Sequence, residues 1–195
     1  MLRSGEIAFI DVESCGLHAG SYPIEVGIAN VDLAVQSWLI RPPSSWTKWN
    51  WSFTAERVHG ISRETLLLEG IDVVETATRL NGLLSDRIVL SDAPSYDERW
   101  LLTLFAAANM RMEFSIESLD EAILVAARGN RSVFERVEEV KPTVEVVFKR
   151  THRAGDDALQ NAAIWKATFD FEWFSELELA ARMGWAIRHL RLNLV

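Results

Sequence analysis

An α/β fold on a mixed central sheet is what this sequence predicts. Strand-like segments crowd into its first forty residues, and single strands alternate with helical segments after that. No internal repeat or low-complexity tract interrupts the order.

Residues 6–12 read as a mostly apolar first strand. Residues 23–31 and 33–40 read as the second and third, joined by a tight turn near Asn30 and Asp32. The stretch 41–52 is a loop, with Pro42, Pro43 and three tryptophans, Trp46, Trp49 and Trp51, expected to pack over a sheet edge or at an interface. After His59 and Gly60, Ser62 and Asp72 each stand where a helix cap is wanted, the second helix running to about Leu84. Residues 87–91 make a short fourth strand. Residues 95–109 are helical, with Trp100, Leu101, Leu104, Phe105 and Ala108 at helical spacing. A fifth strand is expected at 113–116 and a helix at 118–128, broken at Gly129 and Asn130. Residues 132–150, interrupted by Pro142, read as helix–turn–helix; 155–167 and 171–192 are helices.

With 195 residues, 49% apolar and 25% charged, the chain suits one domain with a real core. No stretch reads as a signal peptide or a membrane span, and the single cysteine, Cys15, reads as a packed thiol in a reducing, cytoplasmic setting. The net charge of −8 argues against broad duplex binding, which needs clustered Lys and Arg. It does not exclude a nuclease, because acids gathered to hold divalent cations inflate the negative count.

The chemistry concentrates in three short stretches. In Asp11-Val-Glu13-Ser-Cys-Gly16-Leu17, residues two apart on a strand share a face, so Asp11 and Glu13 project together. Unpaired buried charge is expensive; a divalent cation removes that cost, and hard carboxylate oxygens suit Mg²⁺ or Mn²⁺. Gly16 lets the backbone turn or approach a ligand closely. Strand-end acids that simply face solvent are the competing reading. In His152-Arg-Ala-Gly-Asp-Asp157, a helix starting near Gly155 places Asp156 and Asp157 in its first turn, where the macrodipole favours acids whatever their function. Asp157 lies beside the apolar face of Ala158, Ala162 and Trp165, and His152 in the preceding loop suits a proton acceptor near neutral pH. Ser91-Asp-Ala-Pro-Ser-Tyr96-Asp97 adds an acid just beyond a strand end, where α/β sheets carry ligand crevices, although Ser95 or Asp97 also fits a helix cap.

Taken together, these stretches resemble the DEDDh exonucleases, the family of bacterial proofreading subunits, ribonuclease T and oligoribonuclease. Residues 11–17 match the family's Asp-x-Glu-(Thr/Ser)-x-Gly-Leu, and residues 152–157 match His-x-Ala-x-x-Asp. Val58-His59-Gly60-Ile61-Ser62 and Ile24-Glu25-Val26-Gly27 resemble two further family features, so the likeness covers roughly residues 6–168. The middle stretch departs from the pattern. Many relatives carry His-Asn-Ala shortly before a phenylalanine–aspartate pair; here the Asn is missing, Tyr96-Asp97 fits the aromatic–acid pair, and Asp92 is the rival acid.

The resemblance implies a ribonuclease H-like three-layer fold, a mixed five-stranded sheet flanked by helices. It implies an exonuclease domain over residues 1–170; separately, the many apolar residues of 171–195 read as a C-terminal helix that docks or dimerises, the homodimer being the favoured expectation. The implied activity is metal-dependent 3′→5′ hydrolysis of single-stranded DNA or RNA, or of a 3′ overhang, releasing nucleoside 5′-monophosphates. By residue matching, Asp11, Glu13, Asp97 and Asp157 hold two divalent cations, Mg²⁺ or Mn²⁺, and His152 is the general base. Gly16, Leu17, His59, Tyr96 and Arg153 fall at substrate-facing positions; Leu17 also fits core packing, and His59 a helix cap or buried hydrogen bond. Lys149, Arg150 and Arg153 flank His152 and either meet phosphates or form a solvated basic patch. His18 and His189 read as surface residues. Two other functions compete: a catalytically silent nucleic-acid-binding domain, and a metal-dependent hydrolase of a small phosphodiester.

Overall fold

The computed structural model describes residues 6–46, 51–127 and 130–183. Its sheet comprises β1 (Ile7–Ser14), β2 (Pro23–Asn30), β3 (Val35–Leu39), β4 (Ile88–Ser91) and β5 (Ile116–Ser118), in the spatial order β3-β2-β1-β4-β5. β1, β2 and β3 pair antiparallel, while β4 runs parallel to β1 and β5 parallel to β4. Asn30 makes the β2–β3 turn: its Oδ1 accepts the N–H groups of Asp32 and Ala34 at 3.0 and 2.9 Å, and Leu33 adopts a φ of 67°.

Three helices connect β3 to β4: α1 (Phe53–His59), α2 (Arg63–Glu69) and α3 (Val73–Leu84). The Ser62 and Asp72 side chains cap α2 and α3, as their positions predict. α4 (Pro94–Ala107) lies between β4 and β5; α5 (Leu119–Ala126), α6 (Arg131–Val147), α7 (Ala154–Phe169) and α8 (Phe171–Met183) follow.

Strand alternation divides the core in two. Ala8, Ile10 and Val12 of β1 pack with Ile24 and Val26 against the α3–α4 side, touching Leu80, Leu101 and Leu104. Ile7 and Phe9 face the opposite layer, where Leu119, Val144, Ala158, Ala162 and Phe174 of α5 to α8 cover them. Asp11 and Glu13 continue the Ile7–Phe9 face, so both acids are directed to the α7 side of the sheet.

Several elements differ from expectation. α1 follows the expected loop, over residues for which no element is expected: Ser52 accepts the Ala55 N–H and Gly60 closes the helix at φ 71°, but His59 is its one buried residue, so no apolar stripe announces it. β5 begins three residues later than expected, at Ile116. α6 is one helix, not two. Pro142 is exposed, so the Glu138 carbonyl it frees faces solvent, while Val133, Val140, Val144 and Val147 stay buried along one stripe and hold the helix down.

α8 buries Trp173, Phe174, Leu177 and Ala180 in the second core cluster, docking on its own domain. The expected continuation of that helix to 192, with His189, Ala186, Ile187 and Leu190, lies outside the described residues, as do Leu194 and Trp49. Among the described residues no helix is long and apolar enough to cross a membrane.

Candidate active site

A glycine decides how closely α7 approaches the strand that carries the acids. Gly27 pairs with Asp11 across the β1–β2 ladder, and a Cβ at Gly27 would lie 2.1 Å from the Ala154 carbonyl carbon and oxygen. Without one, the first turn of α7 rests directly on the sheet and brings Asp157 beside β1.

Glu25, two residues earlier, fixes the orientation of that turn. Its carboxylate is buried and accepts Arg153 Nε–H at 3.0 Å, an Arg153 terminal N–H at 2.7 Å, and the Ala154 backbone N–H at 3.0 Å. Arg153, the residue at the N-cap position of α7, makes no side-chain capping bond, so Glu25 caps the helix from a neighbouring strand. His152, immediately before, sits at φ 56°, a left-handed conformation that costs about 1–2 kcal/mol for a residue with a Cβ. Its neighbours hold it there: the Thr151 N–H donates to Asp157 Oδ1 at 3.1 Å and the Thr151 hydroxyl to Asp156 Oδ2 at 2.7 Å. Asp156, exposed, holds the Thr151 hydroxyl, while Asp157 is buried and turned inward. As a result, ligand atoms of Glu13, His152 and Asp157 all lie within 4.8 Å of one another.

Asp97 comes from the other side. Ser91, the last residue of β4, donates its hydroxyl to Asp97 and accepts the Ala93 N–H at 2.8 Å, while Pro94 starts α4. One turn into α4, Asp97 is 2% exposed and receives a backbone hydrogen bond from Val12 on β1. Asp11 lies within electrostatic reach of Asp97, Glu13, Asp157 and Asp92.

This crowding has a measurable electrostatic cost. Burial and then its four acidic neighbours push the Asp11 carboxyl well above its ordinary range. Burial, then Asp157 and Glu25, raise Glu13 to about 7, and burial raises Asp97 to about 7 against the Ser91 hydrogen bond that lowers it. Asp157 is also raised by burial. Asp92 behaves oppositely: hydrogen bonds from Arg150 and Asn161 outweigh its burial and hold it below the usual carboxylate range. Of the two rival acids in the middle stretch, Asp92 is already neutralised by the protein and Asp97 is not.

The residues expected to face substrate divide into two groups. Leu17 is 73% exposed, just beyond Gly16, where an added Cβ would meet Ser52 Cβ at 3.0 Å. Tyr96 is half exposed, with Trp100 at 5.7 Å and the Arg99 guanidinium 5.3 Å from its ring. His59 is buried; its Nδ1 accepts the Ile61 N–H at 3.0 Å, its Nε2 has no hydrogen-bond partner among the described residues, and burial lowers its pKa. Arg153 is committed to Glu25 through two of its nitrogens. Trp46 is buried and stacked on Tyr22 at 5.0 Å, and Trp51 packs near His59, so both tryptophans are packing residues. Cys15 is likewise buried and accepts the Tyr22 N–H at 3.3 Å.

Sequence reasoning missed Glu25, Asn161 and the pairing of Asp92 with Arg150. An acid inside the otherwise apolar run of β2 was a usable signal for Glu25; the Asp92–Arg150 pair joins residues 58 apart and leaves no local trace.

No protein-family model matches the sequence, and no curated protein matches it. Solved structures do. The fold is similar to Escherichia coli exonuclease I in complex with a dA16 oligonucleotide, with a TM-score of 0.61 and 16% identity over 88% of this chain and 42% of that one. It is equally similar to a zinc-bound form of the E. coli enzyme with single-stranded DNA, at 0.61 and 16% over 87% and 42%. A moderately thermophilic exonuclease I from Methylocaldum szegediense gives 0.61 and 15% over 88% and 41%. The chain thus spans less than half the length of these proteins. The likeness, with the β3-β2-β1-β4-β5 sheet between helical layers, establishes the ribonuclease H-like fold.

Proposed function

We propose that this chain is a metal-dependent 3′→5′ exonuclease that hydrolyses single-stranded nucleic acid, or a 3′ overhang, to nucleoside 5′-monophosphates. The observation that carries the reading is the convergence of Asp11, Glu13, Asp97 and Asp157, from β1, α4 and α7, beside His152. The exonuclease I structures with bound oligonucleotide support it by their fold, and a silent binding domain has no use for the complete set.

The donor set fits divalent cations. It consists of hard carboxylate oxygens whose pKa values are raised first by burial and then by neighbouring acids. Asp11, Glu13, Asp97 and Asp157 would hold two such ions, Mg²⁺ or Mn²⁺, whose chemistry is to polarise water and stabilise the leaving oxygen. The chain's own groups do the rest. His152, exposed and within 4.8 Å of Glu13 and Asp157, accepts the proton of the attacking water. Ser91 and Val12 hold the Asp97 carboxylate in place, as Thr151 holds Asp157. Leu17 and Tyr96 offer exposed apolar surface to the terminal bases.

Incubating the protein with 5′-labelled single-stranded DNA and RNA in Mg²⁺, Mn²⁺ and chelator tests this. A metal-dependent ladder shortening from the 3′ end supports the reading and reveals the preferred sugar. Cleavage confined to small phosphodiesters, with both oligonucleotides intact, would replace it with the small-substrate hydrolase.

A further inference from the structure

We infer that Arg150 contacts a phosphate of the bound substrate and that Asp92 holds it in position to do so. The inference rests on the nuclease reading above and deepens it.

Arg150 lies in the loop between α6 and α7 that also carries His152. One terminal N–H of its guanidinium donates to Asp92, its Nε–H donates to Gln160 Oε1 at 3.4 Å, and Nε lies 3.9 Å from Asp157 Oδ2. Asp92 is secured from behind by Asn161, fully buried, whose Nδ2–H donates to Asp92 Oδ1 at 3.0 Å. Gln160, also buried, donates to the Phe148 carbonyl at 2.6 Å and so ties the loop itself to α7. Three side chains from β4–α4 and α7 thus fix one arginine whose side chain is still 41% exposed.

A guanidinium carries five N–H donors, of which Asp92 and Gln160 use two here. The open edge, beside a carboxylate assigned to hold a cation, matches the planar two-point geometry by which arginine grips phosphate oxygens. A purely electrostatic role, offsetting the acid cluster, does not account for Asp92. Adding a fifth carboxylate against Arg150 cancels the positive charge that such a role would need, whereas a positioning role requires that anchor. The arrangement also gives a purpose to the stretch where this sequence departs from the His-Asn-Ala of the family it resembles. Lys149 and Arg153, the other cations of the loop, lack this geometry: Arg153 is held by Glu25.

Equilibrium binding of thymidine and adenosine 5′-monophosphates in Mg²⁺ tests this on the full chain, with the unphosphorylated nucleosides and Mn²⁺ itself as controls. Arg150→Ala should weaken monophosphate binding ~10- to 100-fold, the worth of a charge-assisted hydrogen bond. Nucleoside and Mn²⁺ affinities should stay within about two-fold, Arg150→Lys should recover only part of the loss, and Asp92→Asn should fall between. Wild-type binding that Arg150→Ala and Arg150→Lys leave unchanged would overturn the inference and leave the nuclease reading standing. Equal loss of Mn²⁺ and monophosphate would also overturn it, by showing that Arg150 only supports the cluster. Failure of the wild type to bind either monophosphate would instead strike the nuclease reading, and the inference with it.

Discussion

Glu13 and Glu25 face each other across the β1–β2 ladder, and among the described residues only Glu25 of the two forms an ion pair. Like charges directly opposite on a sheet destabilise it, and the fold resolves the conflict on one side alone. Arg153 and the Ala154 N–H satisfy Glu25, whereas burial, then Asp157 and Glu25, raise the Glu13 pKa to about 7.

The two ways of breaking the Glu25–Arg153 pair should therefore differ. Arg153→Ala leaves a buried carboxylate uncompensated beside Glu13 and should cost about 3 kcal/mol. Glu25→Gln keeps an acceptor for Ala154 and should cost about 1 kcal/mol. Urea unfolding of both variants measures this; a costlier Glu25→Gln would contradict the assignment.

Gly27→Ala should be far more damaging than a methyl group suggests. The new Cβ would lie 2.1 Å from the Ala154 carbonyl, so α7 must lift from the sheet and carry His152 and Asp157 away from Glu13. We expect a loss of more than about 3 kcal/mol, in the range of severe overpacking, with hydrolysis abolished. Thermal unfolding and a turnover assay on one preparation check both parts.

Raised carboxyl pKa values set the sign of the pH dependence. Glu13 and Asp97, at about 7 in the folded chain, bind protons there that the unfolded chain has already lost. Stability of the metal-free protein should consequently fall as pH rises from about 5 through 7. Saturating Mn²⁺ should remove much of that slope, because a cation stabilises the ionised carboxylates. Denaturation midpoints between pH 5 and 8, with and without Mn²⁺, give the comparison, and identical slopes would count against these acids as a cation site.

Leu17 separates binding from folding. At 73% exposure it contributes little to the core, so Leu17→Ala should leave stability within about 0.5 kcal/mol. It should still raise the KM for single strands several-fold, with little change in kcat. Unaltered kinetics would remove Leu17 from the substrate surface.

Local patterns carried much of the fold. The runs of β1, β2 and β4, the Asn30 turn and the Ser62 and Asp72 caps are written in neighbouring residues, and each forms within two residues of where its pattern places it. α1 escaped because its capping residues were not matched by an apolar face, and α6 because a proline on a solvent-facing side need not end a helix whose other side is packed. For the candidate site, the alternation rule put Asp11 and Glu13 on one face, the motif resemblance named Asp97, Asp157 and His152, and the fold brings these near them. What no local pattern carried is the support. Glu25 reaches Arg153 across 128 residues and Asp92 reaches Arg150 across 58, so those pairings exist only once the sheet and α7 have met.

The central claim is that the four acids act as one cation-dependent hydrolytic centre. Its most direct test is the rate of 3′-nucleotide release from a labelled single strand in Mn²⁺ by the wild type and by Asp11→Asn. The account predicts a metal-dependent wild-type rate that Asp11→Asn lowers by at least ~1000-fold, the scale of losing a central electrostatic contributor. A variant that retained the wild-type rate, or a wild-type rate unaffected by chelator, would contradict it.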